Sequence, residues 1–220
     1  MKLRKHYKLI IAADGGAASG KTTGAKLISK KFGLNFLSSG ILYRYAAFLL
    51  IKYKPKNRIL FLKKVFYKLN VKKINKIKLH SSEISNYTSV IAKEKKIRLI
   101  LKSFQKNFSK KYNKVCIEGR DIGSVILPDA DIKFYFTCGL KTASKRRFKE
   151  LVKTNKKIKL IDVKKAIKIR NYRDKNRKNS PLIQCKDAVI VRTDKLKNIP
   201  MMIKKMSLII EKKVKHKYGS

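Results

Sequence analysis

The sequence predicts an α/β fold in which a parallel sheet is covered by helices on both faces. Three observations support this prediction. Short apolar runs alternate with helix-like segments, a glycine-rich turn joins the first run to the first helix, and 220 residues are enough for one such domain. Parallel strands need crossover connections, and the intervening helical segments can supply them.

The elements follow from apolar periodicity and from turn signals, taken in chain order. We expect five strands, at residues 8–13, 35–37, 115–118, 132–137 and 188–192. We expect seven helices, at residues 21–32, 39–51, 83–92, 97–108, 142–152, 162–177 and 199–215. The Lys-rich segment 56–77 is only weakly periodic, and we expect a small helical or mixed insertion there.

Positive charge is the most unusual bulk property of the chain. Lys and Arg number 58 against 13 Asp and Glu, which gives a formal charge of +45. One interpretation is a polyanionic partner such as nucleic acid, and the other is a set of lysines spread over solvated faces. The lysines are scattered along the whole chain, which favours the second interpretation, so we expect no specific nucleic-acid partner. In either case the field attracts anionic nucleotides.

The cysteines and the apolar stretches indicate a soluble, cytoplasmic protein. Three cysteines lie far apart without a Cys-x-x-Cys pair, which favours neither a disulfide framework nor a zinc site. Cys116 and Cys138 fall in apolar runs, so we expect buried thiols in a reducing compartment. The apolar stretches 9–13 and 41–51 are too short to serve as a signal peptide or to span a membrane.

The strongest local signal is the glycine-rich segment that follows the first predicted strand and precedes the first predicted helix. It fits the phosphate-loop pattern Gly-x-x-x-x-Gly-Lys-[Ser/Thr]. Small residues let the backbone N–H groups turn inward, and the helix N-terminus adds positive potential. Lys21 can reach the β- and γ-phosphates, and the Thr22 hydroxyl can ligate Mg²⁺. We therefore predict that a nucleoside triphosphate such as ATP binds to Gly15, Gly16, Ala17, Ala18, Ser19, Gly20, Lys21, Thr22 and Thr23.

The phosphate loop alone does not separate a kinase from other nucleotide-binding proteins. A GTPase would carry a guanine-reading Asn-Lys-x-Asp segment, which the sequence lacks, and a helicase or a transporter ATPase would need a longer chain. The acceptor site must therefore be sought among the other motifs.

Arginine is scarce in this chain, so its positions are informative. Of the 58 basic residues 11 are Arg, which leaves 47 Lys. Arg offers a planar fork for bidentate binding of phosphate, and Lys does not. Arg170, Arg173, Asp174 and Arg177 have the spacing of one helix face, which could clamp phosphates and leave the carboxylate for a sugar hydroxyl. The alternative is a solvated helix face with ion pairs.

Two further motifs come directly after predicted strands, at the ends where open α/β sheets place their ligands. Residues 118–123 read Glu-Gly-Arg-Asp-Ile-Gly, and the alternative for them is a charged turn. Residues 39–44 read Ser-Gly-Ile-Leu-Tyr-Arg, and the alternative is a helix opened by Ser39 as N-cap with Tyr43 in the core.

Taken together, these motifs resemble the bacterial cytidylate kinase family. The matching stretches, in the family's order, are IAADGGAASGKTT, SSGILYR, EGRDIGSVILPDADIKFYF and IRNYRDKNRKNSPL. The resemblance runs from about residue 8 to the last helix and is weakest between residues 52 and 78. It implies transfer of the γ-phosphoryl group of ATP to CMP or dCMP, with Mg²⁺. The sequence does not settle the oligomeric state, and our expectation is a monomer.

The resemblance also implies three parts of a single nucleotide-kinase domain over residues 1–220 and assigns residues to them. These are a three-layer P-loop core (1–45, 109–144 and 178–220), a monophosphate-binding insertion (about 46–108) and a lid (about 145–177). The implied catalytic residues are Lys21, Arg120, Arg146, Arg147 and Arg177. The CMP phosphate would contact Ser39, Tyr43, Arg44, Arg120 and Arg177. The cytosine would contact Ser89, Arg98 and Asp121, and the sugar would contact Arg170 and Asp174.

The sequence departs from the family pattern at a few positions. Gly16 stands where Pro is usual, Ala18 replaces a Gly, and Ala143 replaces an expected lid Arg. Asn171 and Tyr172 replace acidic residues.

Three questions stay open from the residues alone. Asp14 or Glu118 is expected to organise metal-bound water, and the sequence does not say which. A kinase for another monophosphate such as UMP is one alternative function. A basic nucleic-acid-binding protein with a vestigial nucleotide site is the other.

Overall fold

The computed structural model describes residues 6–74, 77, 79, 81–153 and 157–219. The chain forms two compact units. Met1–Phe36 and Asn113–Ser220 form one, which we name the sheet unit, and Leu37–Tyr112 form the other, which we name the helical unit. The predicted insertion, at about residues 46–108, falls inside the sequence range of the helical unit.

Five strands form one sheet in the order β2-β3-β1-β4-β5. Their bounds are β1 Leu9–Gly15, β2 Asn35–Ser38, β3 Lys114–Gly119, β4 Ile132–Thr137 and β5 Ala188–Arg192. β1 pairs in parallel with β3 on one side and with β4 on the other, and β4 pairs in parallel with β5. The predicted α/β fold with a parallel sheet is thereby confirmed.

Helices connect the strands and make up the helical unit. They are α1 Lys21–Phe32, α2 Ser39–Tyr53, α3 Arg58–Tyr67, α4 Val71–Ile74, α5 Ser82–Ile91, α6 Lys95–Lys111, α7 Leu140–Leu151, α8 Leu160–Asn176 and α9 Ile199–Tyr218. A π-helical turn, Ile122–Ile126, follows β3.

The core of the sheet unit explains why α1 and α9 lie on the sheet. In α1 the buried apolar positions Ala25, Ile28 and Phe32 recur at helical spacing. In α9 the buried positions do the same, at Met202, Met206, Ile210 and Val214. Both stripes join one hydrophobic cluster with the inward side chains of β1 and β4, which include Ile11, Phe134 and Phe136. Burial of this cluster fixes the strands that carry the phosphate loop.

The helical unit has its own buried residues. Leu62 and Phe66 of α3 are buried, as are Ile97 and Leu101 of α6. The rings of Phe66 and Phe104 meet edge to face, with centroids 5.7 Å apart, which is a favourable aromatic arrangement. The Lys-rich segment 56–77 thus contains the helices α3 and α4, as the expected helical insertion, although Asn75 and Lys76 lie outside the described residues.

The predicted strands are confirmed to within two residues at each end, and the predicted helices to within three. Other local predictions were wrong. The π-helical turn was not foreseen. α8 ends at Asn176, so Arg177 is not on the face of the helix but has an extended backbone, with φ −69° and ψ 137°. The N-cap of α2 is Ser38, whose hydroxyl accepts from the Ile41 N–H, and not Ser39.

The cysteine predictions have a divided outcome. Cys116 is buried in β3, and burial raises the pKa of its thiol to about 12. Cys138 is only half-buried because it comes after the last residue of β4. All three thiols are free. Across the described residues, no helix has both the length and the apolar character needed to cross a bilayer.

Candidate active site

The carboxyl ends of the central strands lie at one edge of the sheet. Asp14, next to last in β1, is opposite Gly119 of β3 and Tyr135 of β4. The phosphate loop begins at Gly15, where β1 ends, and the arginine motif continues from Gly119, where β3 ends. Parallel register therefore brings two segments together that are about a hundred residues apart in sequence.

The phosphate loop needs its first and last glycines for different reasons. A Cβ on Gly15 would collide with the carbonyl oxygen of Phe136, so the strand end permits no side chain. Gly20 has φ 82°, in the left-handed region, and it is the N-cap of α1. Lys21 is the first helical residue and is buried, while Thr22 and Thr23 are exposed on the first turn. The loop therefore ends at a helix N-terminus, which favours anions.

Two donor groups of the loop, the Ser19 hydroxyl and the Ala17 N–H, could donate to an anion. The Ser19 hydroxyl is buried and has no hydrogen-bond partner among the described residues. The Ala17 N–H donates to Oδ1 of Asn171 on α8, at 2.9 Å. A neutral side-chain oxygen thus accepts from one of the backbone donors that a phosphate oxygen would use.

Lys21 lies beside a buried carboxylate. Its Nζ is 3.6 Å from Oε2 of Glu118, and both side chains are almost fully buried. Burial, and after it the positive charge of Arg120, lower the pKa of Lys21 to about 8, although the charge of Glu118 opposes the shift. The ammonium is still mostly protonated at neutral pH, and in this buried setting its attraction for a phosphate is only weakly screened.

Asp14 contacts the backbone of a turn, whereas Glu118 pairs with Lys21. Its carboxylate accepts from the N–H groups of Ile122, at 2.8 Å, and Gly123, at 2.7 Å. It therefore fixes the start of the π-helical turn that follows Arg120 and Asp121. Burial raises the pKa of Asp14 to about 6 despite these two hydrogen bonds. Both oxygens of Asp14 therefore already accept from the backbone, which ties this carboxylate to the turn.

Arginines pair with carboxylates between two segments, the one that follows β3 and the one at the end of α8. Arg120 Nε donates to Oδ2 of Asp174 at 2.7 Å. The guanidinium of Arg177 lies 3.8 Å from the other oxygen of Asp174 and 3.6 Å from Asp121. Burial alone would raise the pKa of Asp174, but the charges of Arg120, Arg170 and Arg177 hold it below its usual range.

This cluster corrects one expectation. The sequence placed Arg173 beside Asp174 with Arg170 and Arg177. In the structure Arg173 is exposed, and the charges that lower the pKa of Asp174 are those of Arg120, Arg170 and Arg177. Helical spacing did not reveal Arg120, because it reaches Asp174 from another segment.

The two predicted lid arginines have different surroundings. Arg146 donates through Nη1 to the Thr193 hydroxyl at 2.8 Å and through Nη2 to the Thr193 carbonyl at 3.0 Å. Arg147 pairs with Glu150 at 2.9 Å on the surface. Sequence reasoning did not identify Thr193. Its position directly after β5, at the same edge of the sheet, was the available signal.

The helical unit contains the remaining predicted residues, which we describe within that unit alone. The Arg98 guanidinium lies 5.7 Å from the Tyr43 ring centroid, and its Nη1 donates to the Ala92 carbonyl. Arg44 donates to the Ser85 hydroxyl at 2.7 Å and to the Leu79 carbonyl at 3.2 Å.

The two predicted serines of the helical unit lie on helices. Ser39 is buried at the start of α2. Ser89 lies on α5, and its hydroxyl donates to the Ser85 carbonyl. Sequence reasoning missed Ser85, which contacts Arg44 and Ser89.

The donor set fits a Mg²⁺ ion that arrives with a nucleotide. Among the described residues, no group of three or more His, Cys, Asp and Glu side chains could hold a metal. Mg²⁺ in phosphate-transfer sites usually takes one or two protein oxygens and completes its shell with water and substrate phosphates. The exposed Thr22 hydroxyl and the Glu118 carboxylate beside Lys21 are oxygens of that kind.

These features define the class of protein. A parallel sheet that ends in a Gly-x-x-x-x-Gly-Lys-Thr loop, with a buried lysine and with arginines paired to carboxylates at the neighbouring strand end, is the architecture of a P-loop kinase.

Comparison with known proteins identifies the family. A family model described as cytidylate kinase matches residues 11–212. A cytidylate kinase from Clostridium botulinum strain Hall is 37% identical over 214 residues, covering 92% of this chain and 97% of its own. Those from Bartonella tribocorum and Rickettsia rickettsii are 36% and 37% identical and cover 85% and 84% of this chain. The chain belongs to the cytidylate kinase family, as the sequence motifs indicated.

Solved structures agree with the fold. An uncharacterized protein from Eubacterium ventriosum has a TM-score of 0.53 at 14% identity, and the match covers 93% of this chain and 98% of that one. The protein TT1252 from Thermus thermophilus has a TM-score of 0.52 at 11% identity, with 94% and 98% covered. At this level of identity the likeness concerns the fold alone.

Ala18 carries a backbone conformation that glycine adopts more easily, since its φ is 53°. An L-residue in this left-handed region costs about 1 kcal/mol or more, while Gly there loses more entropy on folding. We expect Ala18→Gly to raise the free energy of unfolding by up to about 1 kcal/mol, measured by urea denaturation. Ala17→Gly is the matched control, because Ala17 has no positive φ, and it should lower stability. Equal effects of the two variants would contradict this account.

The raised pKa of Asp14 should make the free energy of unfolding depend on pH. Its folded-state pKa, about 6, lies above the ordinary value of about 4. Protonation of Asp14 therefore stabilises the folded protein in acid, and this stabilisation is lost as the pH rises through 6. Relative to Asp14→Asn, the wild type should lose on the order of 3 kcal/mol of unfolding free energy between about pH 4 and pH 7. Urea denaturation across that range measures the difference.

Asp187→Asn is the control for the Asp14 experiment. Asp187 is exposed, and its hydrogen bond with Lys133 lowers the pKa, so the pH slope should have the opposite sign. A constant stability difference between wild type and Asp14→Asn would contradict the raised pKa.

Proposed function

We propose that the protein transfers the γ-phosphoryl group of ATP to CMP and dCMP, giving CDP or dCDP and ADP. The observation that carries this proposal is the arrangement in the sheet unit. A phosphate loop with a buried lysine shares one sheet edge with the Arg120, Asp174 and Arg177 cluster, in a chain of the cytidylate kinase family.

The triphosphate of ATP binds to residues 15–23. The loop N–H groups donate to its oxygens, and Lys21 contacts the β- and γ-phosphates. The buried Ser19 hydroxyl, which has no partner among the described residues, supplies a further donor. When ATP binds, its charge compensates the desolvation of Lys21, so the ammonium becomes more stable than in the free protein.

Mg²⁺ bound with ATP supplies charge neutralisation at the transferring phosphates. Thr22 is the protein ligand that we propose for it, and Glu118 accepts hydrogen bonds from the surrounding water. Asp14 does not contact the nucleotide. It holds the turn after Arg120 through the N–H groups of Ile122 and Gly123.

The acceptor nucleotide binds through the arginine cluster. Arg120 and Arg177 hold the CMP phosphate, Arg170 and Asp174 hold the sugar, and Asp121 accepts from the exocyclic amine of cytosine. In the free protein Asp174 already pairs with Arg120 and Arg177. These pairs keep two guanidinium groups in place, so less side-chain entropy is lost when the phosphate binds.

The helical unit contains the other residues that the family resemblance assigned to CMP. Its ordered pairs are Tyr43 with Arg98 and Arg44 with Ser85. We propose that Arg98 and Ser89 bind the cytosine, and that Ser39, Tyr43 and Arg44 bind the phosphate.

The transfer step needs alignment and charge stabilisation more than it needs a base. The acceptor phosphate is already a nucleophile, so no strong general base is required. Arg146 and Arg147 stabilise the charge of the migrating group. Residues 145–177 act as a lid that excludes water and limits hydrolysis of ATP.

We further propose that the protein works as a monomer in the cytoplasm on small nucleotides. The charge of +45 attracts these anions without a specific nucleic-acid partner. Its effect on assays is nonspecific binding, which salt weakens.

Turnover across an acceptor panel tests this function. Coupled assays with ATP and Mg²⁺ would compare CMP, dCMP, UMP, AMP and GMP at about 0.15 M ionic strength. We expect CMP and dCMP to lead. Turnover led by UMP or a purine nucleotide would refute the acceptor assignment. A folded protein that binds ATP but phosphorylates none of the five would refute the kinase function and favour the polyanion-binding alternative.

Arg177→Ala tests the acceptor clamp. Removal of a fixed donor to a phosphate oxygen should lower kcat for CMP by about 100- to 1000-fold, measured in the same coupled assay. Arg173→Ala is the matched control, because Arg173 lies on α8 a few residues away and is exposed, and it should keep kcat within about threefold of wild type. Near-normal turnover of Arg177→Ala, or equal losses in both variants, would refute the role of Arg177.

A further inference from the structure

Thr193 connects three segments of the sheet unit, although no sequence motif includes it. It comes directly after β5 and is buried, with 6% of its surface exposed. Its hydroxyl lies 2.9 Å from the Ser19 carbonyl oxygen and 3.3 Å from the Thr137 carbonyl oxygen. The same hydroxyl accepts from Arg146 Nη1 at 2.8 Å. One oxygen atom therefore joins the phosphate loop, the end of β4 and α7.

The proton of this hydroxyl can go to only one acceptor. Arg146 is a donor only, so the hydroxyl oxygen must accept from it. The single O–H is then left for a carbonyl, and Ser19 offers the shorter distance. The result is a chain from the Arg146 guanidinium through the Thr193 hydroxyl to the Ser19 carbonyl. A hydrogen bond that starts from a cation strengthens the next bond along such a chain.

The backbone of Thr193 also forms a hydrogen bond with Arg146. Its carbonyl accepts from Arg146 Nη2 at 3.0 Å, and its N–H donates to the Thr137 carbonyl at 3.0 Å. The guanidinium is thus held at two nitrogens by a residue that is anchored to the sheet. A Cβ on Gly20 would lie 3.6 Å from Arg146 Nη1 and 3.5 Å from the Thr193 methyl group. The arginine therefore lies against the phosphate loop at Gly20.

We propose that Thr193 is a positioning residue for phosphoryl transfer. It fixes Arg146 against the phosphate loop, and its hydroxyl holds the Ser19 carbonyl by a hydrogen bond. The loop donors, Lys21 and Arg146 are thereby aligned before ATP binds. This inference rests on the proposed function for the role of Arg146 in transfer, while the effect on ATP binding stands without it. Fixing a charged donor in advance removes the cost of ordering it during the reaction.

Three variants of Thr193 and one control variant separate the effect of the hydroxyl from that of the rest of the side chain. Thr193→Val keeps the shape and removes the hydroxyl, and Thr193→Ser keeps the hydroxyl and removes the methyl group. Ser144→Ala is the matched control, because Ser144 is also a buried hydroxyl on α7, but it donates to the Leu140 carbonyl within its own helix. Thr193→Ala is a second hydroxyl-free variant in case Thr193→Val does not fold, and melting temperatures identify folded variants.

Steady-state kinetics and calorimetric Mg-ATP binding supply the readouts. We expect Thr193→Val to lower kcat by about 10- to 100-fold, the loss typical of a misplaced catalytic group, with little change in KM for CMP. It should also weaken Mg-ATP binding several-fold. Thr193→Ser and Ser144→Ala should both stay within about threefold of wild type. A merely structural threonine would change the melting temperature without this split between kcat and KM.

A double-variant comparison tests whether Thr193 acts through Arg146. Added to Arg146→Ala, Thr193→Val should lower kcat by less than about threefold, since residues in one network are not additive. The proposal is overturned by near-normal kcat and ATP binding in Thr193→Val, by an equal loss in Thr193→Ser, or by fully multiplicative effects in the double variant.

The two proposals can fail separately. Absence of CMP phosphorylation by the wild type would refute the proposed function. The ATP-binding comparison between wild type, Thr193→Val and Thr193→Ser would still decide whether the Thr193 hydroxyl shapes the phosphate loop.

Discussion

Parallel pairing of β1 with β3 and β4 is the constraint on which the site in the sheet unit depends. Because parallel strands run in the same direction, their carboxyl ends share one edge, and Asp14 is opposite both Gly119 and Tyr135. The phosphate loop, the Arg120 segment and Thr193 all begin where a strand stops at this edge. A shift of one residue in the β1–β3 register would exchange inward and outward side chains and would separate Lys21 from Glu118. The hydrophobic cluster under the sheet prevents such a shift, so packing of the core determines where the charges lie.

The second feature is an incomplete balance of charge at that edge. The chain has only 13 acidic residues, yet Asp14, Glu118, Asp121 and Asp174 all lie at or beside the strand ends. These carboxylates order the nearby cations and the turn backbone, but Glu118 does not offset the burial of Lys21 and the charge of Arg120. The pKa of Lys21 stays near 8 because burial and Arg120 outweigh Glu118. A site that holds an under-compensated, buried ammonium gains when a phosphate enters, since the anion supplies the missing charge.

The sequence predicted those parts of the molecule that depend on local pattern. The strands, α1 and the phosphate loop follow from apolar runs and from Gly-Lys-Thr after a strand, and the structure has them within a few residues. Links between distant segments could not be predicted in this way. Arg146 and Thr193 are 47 residues apart, and Ala17 and Asn171 are 154 apart, so only the folded sheet brings them together. Arg177 shows the same limit at short range. Its Nε donates to the carbonyl of Ser180, which has a positive φ of 53°, and this local turn ends α8 one residue early.

The contact between Asn171 and the phosphate loop explains why a neutral residue suits that position. Its Oδ1 accepts from the Ala17 N–H at 2.9 Å, and it also limits the space over Gly16, where a Cβ would lie 3.1 Å away. An acidic residue, which the family pattern has here, would accept the same hydrogen bond more strongly and would repel an incoming phosphate. An amide satisfies the buried donor in the free protein and carries no net charge, so a triphosphate can replace it at lower cost. This loop also contains Ala18 in a left-handed conformation where the family pattern has Gly. The neutral acceptor therefore lies against a loop whose backbone is less able to adjust, and in the proposed ATP complex a phosphate oxygen would take the place of Asn171 Oδ1 at the Ala17 N–H.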